Sequence, residues 1–128
     1  MNWYETLAKP GWAPQANVFG IVWSILYPII FIAYGYVIYR VIRGEYPVAL
    51  LAPVLLNLAA NFAFTPIQFG LRNLWLAEID IVIVLGTIVW SMIAIWPHSK
   101  PAALALTPYL VWVAIATALQ SSITWLNR

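Results

Sequence analysis

The side chains best suited to bind a ligand are amides spaced along one apolar stretch. Asn57, Asn61, Thr65 and Gln68 recur at steps of four, four and three residues, which places them on one helix face. Amides facing lipid would lose hydrogen bonds worth several kcal/mol, so this face must point into a bundle or a cavity. Each amide either joins neighbouring helices or contacts a ligand. Three amides on one stripe favour a cavity.

Aromatic side chains with similar spacing lie in two other apolar stretches. The first stretch carries Trp23, Tyr27, Phe31 and Tyr34, and the last carries Tyr109, Trp112, Ala116 and Gln120. An aromatic wall facing amides and small residues is the lining expected for a flat, mostly apolar ligand. Plain packing of the same side chains is the alternative.

Residue patterns for catalysis or metal binding are missing from the sequence. His98 is the only histidine and has no acidic partner at ligand spacing, so we expect a solvated loop residue rather than a haem ligand. Ser121 and Ser122 have no base nearby. The lack of cysteine excludes thiolate ligands and disulfides. We therefore assign no catalytic residue, no metal site and no required cofactor.

Four long uncharged stretches must position these side chains. They cover residues 10–39, 46–71, 81–99 and 101–127, and a helical membrane crossing needs about 20 residues. A composition of 64% hydrophobic and 8% charged residues leaves too little polar surface for a soluble domain. Without a basic run, nucleic acid is not an expected partner, whereas membrane lipid is. The sequence predicts an all-α membrane protein with a single domain over residues 1–128.

The predicted architecture is a four-transmembrane-helix up-down bundle, because short connections make neighbouring helices antiparallel. Its helices are expected at residues 17–39, 47–70, 74–96 and 102–126, after an approach segment at residues 1–16. Glu78 and Asp80 lie one to two turns inside the third helix, where we expect them to anchor at the interface rather than to relay protons. Basic residues divide three against three between the two ends, so they fix no orientation.

Five segments, taken in order, give the chain a specific resemblance to a known family. They are WYETLAKPGWAP, FGIVWSILY, NLAANFAFTPIQFG, LAEIDI and PYLVWVAIATALQ. Together they resemble the translocator protein family, also called the tryptophan-rich sensory protein or peripheral benzodiazepine receptor family, over nearly the whole chain. The resemblance implies a five-helix membrane fold, a pocket under a lid, and binding of porphyrins, other tetrapyrroles, sterols or drugs. A bacterial cell membrane is the expected location.

The resemblance also implies roles for particular residues. Together with the two stripes, it gives an expected ligand-binding set of Trp23, Tyr27, Asn57, Asn61, Phe64, Trp112 and Ala116. The lid is expected at Trp3, Tyr4, Lys9, Pro10 and Trp12. Trp23 and Trp112 match tryptophans that some bacterial members use in light-dependent porphyrin breakdown. Ser121 and Ser122 stand where the sterol-recognition pattern needs a tyrosine, which argues against sterol binding.

Family members usually begin with a helix before the Trp-Tyr segment, whereas this sequence begins at Met1 directly on that segment. We therefore expect the family fold without its first helix, and a homodimer in which a second protomer covers the open flank of the pocket.

The leading functional hypothesis is a membrane receptor or carrier that binds a porphyrin, haem-type or related tetrapyrrole. The alternatives are light-dependent porphyrin degradation, small-molecule transport and a purely structural role. The interfacial placement expected for Glu5, Glu45, Glu78 and Asp80 argues against proton-coupled export.

Overall fold

The chain folds into a bundle of apolar helices. A computed structural model describes residues 7–8, 11–12, 16–67, 71 and 73–127, with the backbone alone at 16, 17, 19 and 65. The helices are α1 (Ala16–Ile42), α2 (Leu51–Thr65), α3 (Leu74–Ile95), α4 (Lys100–Ala105) and α5 (Thr107–Leu126), and a 3-10 turn, Val48–Leu50, precedes α2. The predicted all-α membrane bundle is confirmed.

Among the residues that the structure describes, three helical stretches are long and apolar enough to cross a membrane, namely Gly20–Ile42, Leu74–Ile95 and Lys100–Leu126. The stretch Val48–Phe64 is also apolar but shorter, about 25 Å at a rise of about 1.5 Å per residue. α3 packs along both α2 and α5, whereas α1 packs mainly against α4 and meets α2 and α5 only over short stretches. α3 is therefore the central helix of the bundle.

α1 runs three residues beyond its predicted end and is closed by Gly44. Gly44 has a φ of 75°, and its N–H donates to the carbonyl of Val41 at 2.9 Å. The N–H of Glu45 donates to the carbonyl of Arg40 at 2.9 Å, which completes a Schellman motif. The carboxylate of Glu45 pairs with Arg40 and lies 3.4 Å from Nε of Arg43. Backbone hydrogen bonds and ion pairs therefore both stabilise the turn after α1.

α2 is shorter than the predicted helix at 47–70. After Pro47 the chain makes a 3-10 turn, and the α-helix begins at Leu51. The α-helix gives way at Pro66 to a wider π-type turn over residues 66–67, because Pro66 has no N–H and its ring would clash with the carbonyl four residues earlier. The N–H of Leu71 donates to the carbonyl of Pro66, five residues back, at 2.9 Å. Residues 68–70 of the predicted helix lie outside the described residues.

The predicted helix at 102–126 is two helices with a break at Leu106. α4 starts earlier, at Lys100, where the hydroxyl of Ser99 accepts the N–H of Ala102 at 3.3 Å. The N–H of Leu106 donates to Ala103 in 3-10 fashion at 3.2 Å. Pro108, in the first turn of α5, cannot continue α4 but suits a helix start.

The loops at the α3–α4 end of the bundle are joined by Tyr46. Its hydroxyl donates to the carbonyl of His98 at 3.2 Å, and the two ring centroids are 5.2 Å apart. His98 is exposed, which confirms its prediction as a loop residue open to its surroundings.

At the other end of the bundle, Asn73 caps α3, since its side chain accepts the N–H of Leu76 at 2.9 Å. Glu78 accepts a hydrogen bond from Ser121 of α5 at 2.6 Å, so the start of α3 lies beside the end of α5. Asp80 is only 8% exposed and shares the inward face of α3 with the buried core residues. The structure thus encloses the side chain of Asp80 in protein, while its position near the membrane interface stays a prediction.

Candidate functional site

The centre of the bundle holds a hydrogen-bonded network around Asn57, whose side chain is 0% exposed. Its Oδ1 accepts hydrogen bonds from the hydroxyls of Tyr34 at 2.9 Å and Tyr109 at 3.0 Å. Its Nδ2 donates to the hydroxyl of Thr87 at 2.9 Å and to the carbonyl of Val84 at 3.1 Å. These four bonds use the full capacity of one amide and join α2 to α1, α3 and α5.

Asn61 lies one turn further along α2 and extends the network toward the first half of α1. Its Oδ1 accepts the hydroxyl of Tyr27 at 3.2 Å, and its Nδ2 donates to the hydroxyl of Tyr109 at 2.6 Å. Asn61 is 7% exposed. Among the described residues, Asn61 makes these two hydrogen bonds. Its amide can therefore donate one more hydrogen bond and accept one more, whereas the amide of Asn57 can do neither.

Aromatic rings cover the α1 side of Asn61. Trp23 stacks on Tyr27 with ring centroids 5.1 Å apart and meets Tyr109 edge-on at 6.2 Å. Tyr27 also stacks on Phe31 at 5.8 Å and approaches Phe62 of α2 at 6.4 Å. Because Phe31 and Phe62 are 51% and 53% exposed, this aromatic wall runs from the bundle interior to its outer surface.

The structure therefore brings together four of the predicted ligand-binding residues: Trp23, Tyr27, Asn57 and Asn61. The remaining three, Phe64, Trp112 and Ala116, are partly buried and pack against the hydrophobic core, which includes Tyr34 and Tyr109. Of the amide stripe, Gln68 and the side chain of Thr65 lie outside the described residues.

Three residues of the network were not in the predicted set: Tyr34, Thr87 and Tyr109. Tyr34 follows Tyr27 by seven residues, and Tyr109 precedes Trp112 by three, so helical spacing marks both for the inner face. Thr87 gave no such signal, because its role depends on how α3 is aligned against α2.

Part of the predicted lid is described. Trp12 is exposed. The N–H of Ala8 donates to Oδ1 of Asn127 at 3.1 Å, and Nδ2 of Asn127 donates to the carbonyl of Ala8 at 2.9 Å. This two-way bond ties the segment before α1 to the end of α5. The other lid residues, Trp3, Tyr4, Lys9 and Pro10, lie outside the described residues.

The chemistry available at this site is that of binding. Phenols, amides and indoles supply hydrogen bonds and stacking surfaces, and all side chains of the network that the structure describes are uncharged. Within the described part of the chain, no three His, Asp or Glu side chains are grouped so that they could hold a metal ion.

Fold and site define a class, namely helical membrane proteins with an amide and aromatic cluster between their helices. The chain matches the TspO/MBR family over residues 1–126. It is 37% identical over 122 residues to the translocator protein of Homo sapiens, an alignment that covers 93% of this chain and 71% of that protein. It is 34% identical over 126 residues to the tryptophan-rich protein TspO of Bacillus cereus, covering 98% of this chain and 81% of that protein.

An uncharacterized membrane protein of Bacillus subtilis, YtaB, is 32% identical over 126 residues, again covering 98% of this chain and 81% of that protein. The chain belongs to the TspO/MBR family and is an integral membrane protein, which confirms the resemblance seen in the sequence.

Proposed function

We propose that this protein is a membrane receptor or carrier that binds a porphyrin or a related tetrapyrrole at the cluster of Trp23, Tyr27 and Asn61. The observation that supports the proposal is the convergence of these residues, from two helices, with Tyr109 of a third. A flat apolar macrocycle needs aromatic surface for stacking and a few polar groups for orientation.

The two amides of α2 divide between structure and binding. Asn57 has all its donors and acceptors engaged by the protein, so it holds the helices together. Asn61 has spare capacity among the described residues and lies beside the aromatic wall. Asn61 is thus the amide that can orient a ligand, and Trp23 is the ring on which a ligand stacks.

The outer end of the aromatic wall suits a ligand that arrives from the lipid phase. Phe31 and Phe62 lie 6.3 Å apart on α1 and α2 and are half exposed. α1 meets α2 only over a short stretch, so few helix contacts must separate for a ligand to pass between them.

Titration with protoporphyrin IX in detergent micelles, followed by quenching of tryptophan fluorescence and by the Soret band, tests the proposal. Trp23→Ala and Asn61→Leu should each weaken binding, Trp23→Ala by about tenfold or more because the partly buried ring on which the ligand stacks is lost. Trp90→Ala is the matched control, since Trp90 on α3 is 47% exposed and is not one of the residues of the network. Unchanged affinity in both site variants, or equal loss in the control, would refute the site.

A second candidate function is light-dependent porphyrin breakdown, which the stacking of Trp23 on Tyr27 favours. An excited porphyrin takes one electron from Trp23 and passes it to dioxygen, and Tyr27, stacked on Trp23, returns an electron to the Trp23 radical cation and is itself left oxidised. Illuminating the protein with protoporphyrin in air and following the Soret band tests this activity. Breakdown should slow in Trp23→Phe; equal rates in both proteins and in empty micelles would assign the reaction to free porphyrin.

A further inference from the structure

The carbonyl of Val84 determines which group donates and which accepts in each hydrogen bond of the network around Asn57. The carbonyl of Val84 can only accept, and it lies 3.1 Å from the Asn57 side chain. The atom facing it must therefore be the Asn57 nitrogen, which turns Oδ1 toward Tyr34 and Tyr109. An amide oxygen carries no hydrogen, so each of these two phenols must donate its single hydrogen to Asn57.

This constraint passes from Asn57 to the aromatic wall. Because Tyr109 has given its hydrogen to Asn57, its oxygen can only accept from Asn61, at 2.6 Å. Asn61 must present its nitrogen there, so its oxygen faces Tyr27 at 3.2 Å. Tyr27 then donates its own hydrogen to Asn61. Each donation also makes the donating oxygen a better acceptor, so the bonds of such a chain strengthen one another.

We propose that the hydroxyl oxygen of Tyr27 acts as an acceptor only, and that the site therefore selects flat ligands with an N–H or O–H donor on the edge facing Tyr27. This inference rests on the proposed binding function and adds a specificity-determining residue to it. A ligand carbonyl or ester oxygen at the same place would face an oxygen whose hydrogen is already engaged, and it would lose its hydrogen bonds to water without replacement.

The preference concerns the ligand group at Tyr27 and not the whole ligand. Among the described residues, the second amide hydrogen of Asn61 has no acceptor. An acceptor elsewhere on the ligand can therefore still bind to Asn61. A test must therefore change one donor hydrogen and leave the rest of the ligand as it is.

Two mesoporphyrin derivatives supply such a pair: one propionate carries an N-methylamide, with one N–H, or an N,N-dimethylamide, with none, and the other propionate is a methyl ester. Dissociation constants for both are measured with the whole protein in micelles. The wild-type protein should bind the N–H compound about three- to tenfold more tightly, the value of one hydrogen bond. In Tyr27→Phe the ratio should fall to about one.

Tyr34→Phe is the matched control, because it also removes one phenol hydroxyl from the network but on the side of Asn57 away from Asn61. Its ratio should equal that of the wild-type protein, since the carbonyl of Val84 still orients Asn57 and Tyr109 still donates to it. A wild-type ratio of about one, or a ratio that survives in Tyr27→Phe, would overturn the inference and leave the binding function standing. Failure of both compounds to bind the wild-type protein would overturn the binding function itself.

Discussion

Asn57 and Asn61 are one helical turn apart, yet the structure predicts that they stabilise the protein to different extents. Replacement by Leu removes the amide and keeps a side chain of similar size. Asn57→Leu breaks four hydrogen bonds, and Asn61→Leu breaks two. Since one interhelical hydrogen bond in a membrane contributes about 0.6 kcal/mol, Asn57→Leu should cost about 2 to 3 kcal/mol and Asn61→Leu about 1 kcal/mol.

The free energy of unfolding can be measured by titrating the protein in mixed micelles with sodium dodecyl sulfate and following near-ultraviolet circular dichroism. Tyr34→Phe removes one bond of the network and should cost about 0.6 kcal/mol. In the double variant with Asn57→Leu this cost should disappear, because the partner of the hydroxyl is already gone. Equal losses of unfolding free energy in the two Asn variants, or additive losses in the double variant, would refute this assignment of hydrogen bonds to Asn57 and Asn61.

Further predictions concern two glycines and the ends of the helices. Gly44→Ala should destabilise the protein by about 1 to 2 kcal/mol, because its φ of 75° disfavours a side chain. Gly86→Ala, inside α3 with no atom within 4 Å of the added Cβ, should instead stabilise it by about 0.5 to 1 kcal/mol; the same micelle titration checks both signs. Asn127→Leu should speed hydrogen exchange at the Ala8 amide several-fold, because that amide loses its acceptor. Asn73→Leu, the control, should cost about 1 kcal/mol by loss of a helix cap and leave Ala8 exchange unchanged.

The membrane class and the inward face of α2 could be predicted because they depend on local spacing. Asn57 and Asn61 are four residues apart, and neither amide could face lipid without losing hydrogen bonds. Trp23 and Tyr27 follow the same spacing on α1. Phe31 continues that spacing but is 51% exposed, so periodicity predicts the inward face of a helix without fixing the burial of each residue on it.

The different roles of Asn57 and Asn61 could not be predicted, because they depend on the alignment of separate helices. Asn57 is fully engaged only because Val84 and Thr87 of α3 lie opposite it. Asp80 illustrates the same limit, since its sequence position did not show that its face of α3 turns inward and packs against protein.

The central claim is that a tetrapyrrole binds between the aromatic wall and Asn61. The most direct test is an experimental structure of the protein in lipid with bound protoporphyrin IX. The account predicts a macrocycle in van der Waals contact, within about 4 Å, with the rings of Trp23 and Tyr27 and with the amide of Asn61. A porphyrin bound only on the outer surface of the bundle, with Asn61 still enclosed by Tyr27 and Tyr109, would contradict it.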